Sequence, residues 1–237
     1  MIETMDDSAA TPSPGQIQDV IDIDPSGDLL LRIRDNGAGI DFEYRVSTAA
    51  LRKASHYFHV LLDPSKFSEG IAVGRKLKEI RGLHEGTETI PLLELPMISI
   101  PDIGQIPQGT STKSAVELLL HILHNEDTPR PSPRPLFVTL LAIVADRFAA
   151  KTPVANYVIQ QKWKNKLATQ KSSSSPPELR VRQLLLVGLI LRFPDWVRQY
   201  SATLIVQGSE KWRAQCEEVQ EDEPLWCNLP NGLEGEP

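Results

Sequence analysis

The sequence predicts an α+β fold of mixed α/β layout: a small, mainly three-stranded sheet with a cluster of helices, followed by a C-terminal helical extension. Three observations lead there. Apolar and polar residues alternate in short segments near the N-terminus, as at Phe42, Tyr44 and Val46, and a period of two marks a half-buried strand. Further along, apolar residues recur at spacings of three and four, as at Val116, Leu119, Leu120 and Leu123, the stripe of an amphipathic helix. The chain also carries 19 prolines in 237 residues, above the usual ~5%, which predicts several irregular connections.

Taken in order, VIDID (20–24) and DLLLRIR (28–34) are extended segments joined by Asp24-Pro25-Ser26-Gly27. Proline presets φ at the second turn position and glycine tolerates the exit, so a type I turn and a hairpin between these two segments are expected. A third strand, DFEYRV (41–46), runs directly into a helix. Ser47 can cap its free N–H groups, and Val46, Ala50, Ala54, Phe58 and Leu62 recur every fourth residue. His56 and His59 fall off that stripe. Residues 70–94 mix Gly, Lys, Glu and Thr without a firm period and read as an insertion with at most one weak helix. MISI (97–100) is a short strand closed by Pro101.

Ser114 and Glu117 have capping-box spacing in front of the Val116–Leu123 stripe. A proline-rich connector (125–135) leads to a helix marked by Phe137, Leu140, Leu141, Val144 and Phe148. Thr152-Pro153 reads as the cap and first residue of the next helix. KSSSSPP (171–177) is a flexible linker, and helices are expected over 179–193 and 195–208, separated by Pro194. The expected organisation is therefore a disordered N-terminus (1–18), an α+β domain (19–151) with its insertion, a helical extension (152–214) and an acidic disordered tail (215–237).

The net charge of −6 conceals an uneven distribution. Residues 1–28 and 217–237 each hold seven acids and no Lys or Arg, so the middle of the chain keeps 17 acids against all 25 bases. Those bases are scattered, and the nearest to a run is Lys162, Lys164 and Lys166 around Trp163. Phosphate backbones call for clustered charge, so a nucleic-acid partner is not expected. The two cysteines, Cys216 and Cys227, are too few for a disulfide framework or a zinc site, and no glycosylation sequon occurs. The first residues lack the basic start and apolar core of a signal peptide. LLLVGLIL (184–191) is far short of the ~20 residues that span a bilayer. An intracellular, soluble protein of the cytoplasm or nucleus is expected.

Chemical motifs are weak. Asp22-x-Asp24-x-Ser26-Gly27 resembles half of a calcium loop, but the twelfth position, which needs a bidentate glutamate, is Ile33. His84-Glu85-Gly86-Thr87-Glu88 starts like His-Glu-x-x-His and lacks the second histidine. The pairs His56/His59 and His121/His124 could hold a metal only if their helices faced each other, and no carboxylate is placed to orient them. This keeps a histidine-metal hydrolase as a remote alternative. Gly70-Ile-Ala-Val-Gly74-Arg-Lys lacks both the spacing and the preceding strand of a phosphate loop. No catalytic residue, cofactor, metal or small-molecule substrate is called for.

The segments DIDPSGDLLLRI, YRVSTAALRKASHYFHVLL, KFSEG, AVELLLHILHNED and LLAIVADRF, in that order, resemble the BTB/POZ domain, particularly its divergent fungal-type branch. The resemblance covers about residues 19–163, and the later helices are similar, more weakly, to the helical extension that follows this domain. It implies a non-enzymatic protein-interaction module acting by homodimerisation or partner recruitment. In that branch His121 and His124 fall where helix histidines recur with no metal implied. Metazoan members carry a histidine where this chain has Ser47 and a basic residue where it has Ala54, so the partner grooves of transcription-factor members do not carry over.

Cullin-binding members have a hydrophobic-x-Glu motif, matched here by Phe67-Ser68-Glu69. In that motif the aromatic fills an apolar pocket and the carboxylate bonds its rim. The alternative role is therefore a substrate adaptor of a cullin-type ubiquitin ligase, although no kelch, MATH or zinc-finger pattern is present to hold a substrate. Phe67, Ser68 and Glu69 are the candidate interaction residues.

Overall fold

The computed structural model describes residues 20–35, 39–83, 90–104, 106–107, 109–125, 131–169, 177–207, 225–227 and 229. The expectations for the N-terminus, for His84 to Glu88, for nearly all of the 171–177 linker and for most of the acidic tail lie outside these residues.

A four-stranded sheet forms from β1 (Ile21–Asp22), β2 (Leu29–Asp35), β3 (Ile40–Val46) and β4 (Met97–Ile100), in the order β1-β3-β2-β4. One strand more than expected is present, and the expected hairpin is corrected. The turn itself forms, since Gly27 N–H donates to the Asp24 carbonyl at 2.8 Å and the Asp24 carboxylate accepts from Ser26 N–H and Oγ. But β1 leaves that turn to lie parallel to β3, with Ile21 opposite Tyr44. The antiparallel hairpin is β2 with β3, in the register Leu29↔Val46 to Asp35↔Ile40. Leu29, Leu31 and Ile33 then face the core. On the other face Arg32 stands opposite Glu43 and Arg34 opposite Asp41, and each couple forms an ion pair. A slip of one residue would break both pairs and turn the leucines to solvent, so pattern and charge fix the same register.

The expected single helix after β3 is two: α1 (Thr48–Ala54) and α2 (His56–Leu61). Ser55 is extended, at φ −133° and ψ 126°, and serves both, as C-cap of α1 and as N-cap of α2. Its hydroxyl accepts from Phe58 N–H at 3.2 Å and donates to the Phe148 carbonyl at 2.6 Å. The four-residue stripe continues across the break because the kink redirects α2, so that Phe58 stacks on Phe148 at 5.2 Å.

The segment 70–94 is not mostly irregular. It contains most of α3 (Ser68–Leu83), which buries Val73 and Ile80, then a 3-10 turn at Leu92–Glu94. Gly70 lets α3 start close to α2, for a Cβ there would overlap the Asp63 and Leu61 carbonyls. These helices form the crossover that a parallel neighbour requires, bringing β4 beside β2 with Leu30 opposite Met97.

Helix α4 (Lys113–His124) carries the expected stripe, and Val116, Leu119, Leu120 and Leu123 are all buried. The expected capping box is not used. Ser114 lies inside the helix, Thr112 is the N-cap, and the Asp35 carboxylate at the end of β2 accepts from Thr112 N–H at 2.7 Å and Ser111 Oγ at 3.0 Å. An ionised acceptor at a helix start stabilises the exposed N–H groups and the positive end of the dipole. Helix α5 (Pro135–Arg147) follows, with every residue from Val138 to Ala145 buried, so it is central.

The chain continues through α6 (Lys151–Gln160), α7 (Trp163–Thr169), α8 (Glu178–Ile190) and α9 (Pro194–Gln207). Ala150, not Thr152, caps α6, and Pro194 is the first residue of α9. Leu184, Val187, Leu191 and Trp196 join the main core, while a second cluster gathers Ile143, Val181, Leu185, Leu186 and Leu204 with Trp226, Cys227 and Leu229. Asn125, Ala149, Lys162 and Arg192 end helices with positive φ. No helix among the described residues is long and apolar enough to cross a membrane.

Candidate interaction surface

The junction between β3 and α1 is tied down by four hydrogen bonds from two residues. Ser47 N–H donates to His124 Nε2 at 2.9 Å, and Ser47 Oγ accepts from Ala50 N–H at 3.3 Å. Thr48 N–H and Oγ donate to the two oxygens of Asp28 at 2.7 and 2.8 Å. His124 Nδ1 lies 2.7 Å from the Leu120 carbonyl, so this nitrogen carries the proton and Nε2 accepts. Both ring nitrogens are thereby engaged, and the imidazole clamps α4 to the start of α1.

His56 and His59 are exposed and stack on each other, with ring centroids 6.4 Å apart. The two histidine pairs do not meet. Among the described residues no three His, Cys, Asp or Glu side chains converge.

The candidate residues Phe67, Ser68 and Glu69 fall together at the start of α3. Phe67 is 47% exposed although aromatic, and Glu69 projects from the first helical turn. Its carboxyl sits below the usual carboxylate range because its own backbone N–H and then Ser68 Oγ, at 2.8 Å, hydrogen-bond to it. The carboxylate is thus ionised and aimed outward, with no cation among the described residues paired to it.

Sequence reasoning missed what lies beside this triplet. An open groove of about 400 Å³ runs between α3 and strand β4, with Ser68, Glu69, Ala72 and Lys76 on one wall and Pro96, Met97 and Ser99 on the other. Lys76 Nζ bridges the two walls by donating to the Leu95 carbonyl at 3.2 Å. Strand β4 is a sheet edge with exposed Met97 and Ser99, and an edge leaves a row of backbone groups open to pairing. Leu93 is 98% exposed, and five of the eleven large apolar residues exposed among those described (Phe67, Ile71, Leu92, Leu93 and Met97) lie on this segment. Single exposed apolar residues mean little, and of these five only Met97 lines the groove itself. The only sequence signal was an absence of period in residues 70–94, which does not reveal a groove between a helix and a strand.

Comparison with models of known families, with characterised proteins and with solved structures finds no match to this chain.

Proposed function

We propose that this protein is a non-enzymatic interaction module of BTB/POZ type, acting by homodimerisation or partner recruitment through the surface of α3 and β4. One observation carries the reading: exposed Phe67 directly precedes Ser68 and outward-facing Glu69, which line a groove whose far wall is an open strand edge. An aromatic anchor, a charged rim and an available edge are the parts from which protein contacts are built. The family assignment is supported by the order of elements, in which a β2–β3 hairpin runs into a capped α1–α2 pair, a strand returns parallel to β2, and α4 pairs with α5.

Light scattering after size exclusion tests the homodimer. A mass near twice 26.4 kDa is expected, falling to the single-chain value in Leu93→Glu/Met97→Glu. A clean monomer at micromolar concentration, or a dimer that ignores both charges, removes this surface from the account.

The second reading, a substrate adaptor of a cullin-type ubiquitin ligase, is favoured by the free approach to Phe67 and Glu69. Capture of the cullin scaffold should be lost in Glu69→Ala and Phe67→Ala, while the melting temperature stays put because both side chains are exposed. Equal capture by wild type and variants, or none by any, sinks it.

A further inference from the structure

A separate cleft of about 190 Å³ opens on the other side of α3, between it and α1, with Thr48, Arg52, Lys78 and Arg81 around it. Three of these are cations. Among the described residues none makes a salt bridge or hydrogen bond, and Arg52 Nε is shielded from solvent without an acceptor. Among the described residues no Asp or Glu lines the cleft. Three cations around one cleft without an acid among the described residues favour a counter-ion, and a shielded guanidinium N–H without a partner is left short of a hydrogen bond. Both needs are met when an anion enters.

The shape and charge narrow the occupant. Leu62, Val73 and Leu77 line the same cleft, so the cations stand beside an apolar wall. A phosphate monoester carries about −1.5 to −2 charges with three acceptor oxygens, which the three cations more than neutralise, and two of them are guanidinium groups suited to bidentate contact. Inorganic phosphate alone brings nothing for the apolar wall, whereas a peptide segment brings both a phosphate and a neighbouring side chain.

We propose that this cleft binds a phosphorylated serine or threonine side chain of a partner peptide, with Arg52, Lys78 and Arg81 on the phosphate and half-buried Leu77 on a neighbouring apolar side chain. The site lies apart from the Phe67 surface, so either can fail alone.

The test retains peptide libraries on the immobilised full-length protein: a central phosphoserine with randomised flanks, the same library with serine, and the same with glutamate. Retention of the phosphoserine library about tenfold above the other two is expected, as the loss of one charge-assisted contact would give. Lys78→Glu/Arg81→Glu, both at exposed positions, should abolish it while circular dichroism and melting stay unchanged. Equal retention of the three libraries, retention that survives the double variant, or no retention of any library overturns the site. Competition by inositol hexakisphosphate that is stronger than by the selected phosphopeptide overturns the peptide as its source.

Discussion

Replacing Ser55 with alanine removes one hydroxyl that performs two tasks at a buried position, 2% exposed. Loss of the N-cap of α2 costs about 1 kcal/mol. Loss of the donor to the buried Phe148 carbonyl costs about 1–3 kcal/mol, because that oxygen has left water and has no other route back to it. Together the change destabilises by about 3 kcal/mol. In urea, with a slope near 2–3 kcal/mol per molar for a chain of this size, the midpoint should fall by about 1 M at unchanged slope. Circular dichroism follows the transition, and Ser65→Ala is the control, since Ser65 bonds only to exposed Asp63 and should move within about 0.5 kcal/mol. A midpoint shift for Ser55→Ala below about 0.2 M refutes the reasoning, for it would mean that the break between α1 and α2 does not depend on this hydroxyl.

Three further changes probe other joints. Gly70→Ala should destabilise the protein by more than about 2 kcal/mol, because the added Cβ meets backbone carbonyls that cannot swing aside; a urea midpoint equal to wild type would contradict the close start of α3. Tyr44→Phe should be neutral or stabilising by up to about 1 kcal/mol, since the Tyr44 hydroxyl is buried without a partner among the described residues and burial pushes its ionisation far above the usual phenol range. A clear loss of stability would reveal a bond to that hydroxyl. Trp226→Ala should cost about 3 kcal/mol by emptying a site in the second core cluster, read in the same assay, and an unchanged midpoint would mean that Trp226 does not pack there in solution.

Elements governed by local rules were legible. The period-two face of β3, the stripe of α4 and the Ser47 cap each depend on residues within a few positions, and all three are present. Helix ends were less legible. The usual signal is glycine in the left-handed region, and here Asn125, Ala149, Lys162 and Arg192 occupy it. Phe67 and Glu69 could be named from the sequence, but the groove and strand edge beside them could not.

The sequence by itself determined the strands β2 to β4 and the helices α4 and α5, with the faces they bury, because apolar period is a short-range property of the chain. Tertiary structure alone decided which strands pair, since β1 could satisfy its few hydrogen bonds against β2 or β3 and only the assembled sheet selects β3. It decided the start of α4, capped by Asp35 from 77 residues away. It also decided that Arg52 shares a cleft with Lys78 and Arg81. Charges scattered along a sequence become a site only when the backbone between them folds back, and the entropy of that return is met by burial of Phe58 and Ile80 elsewhere in the chain.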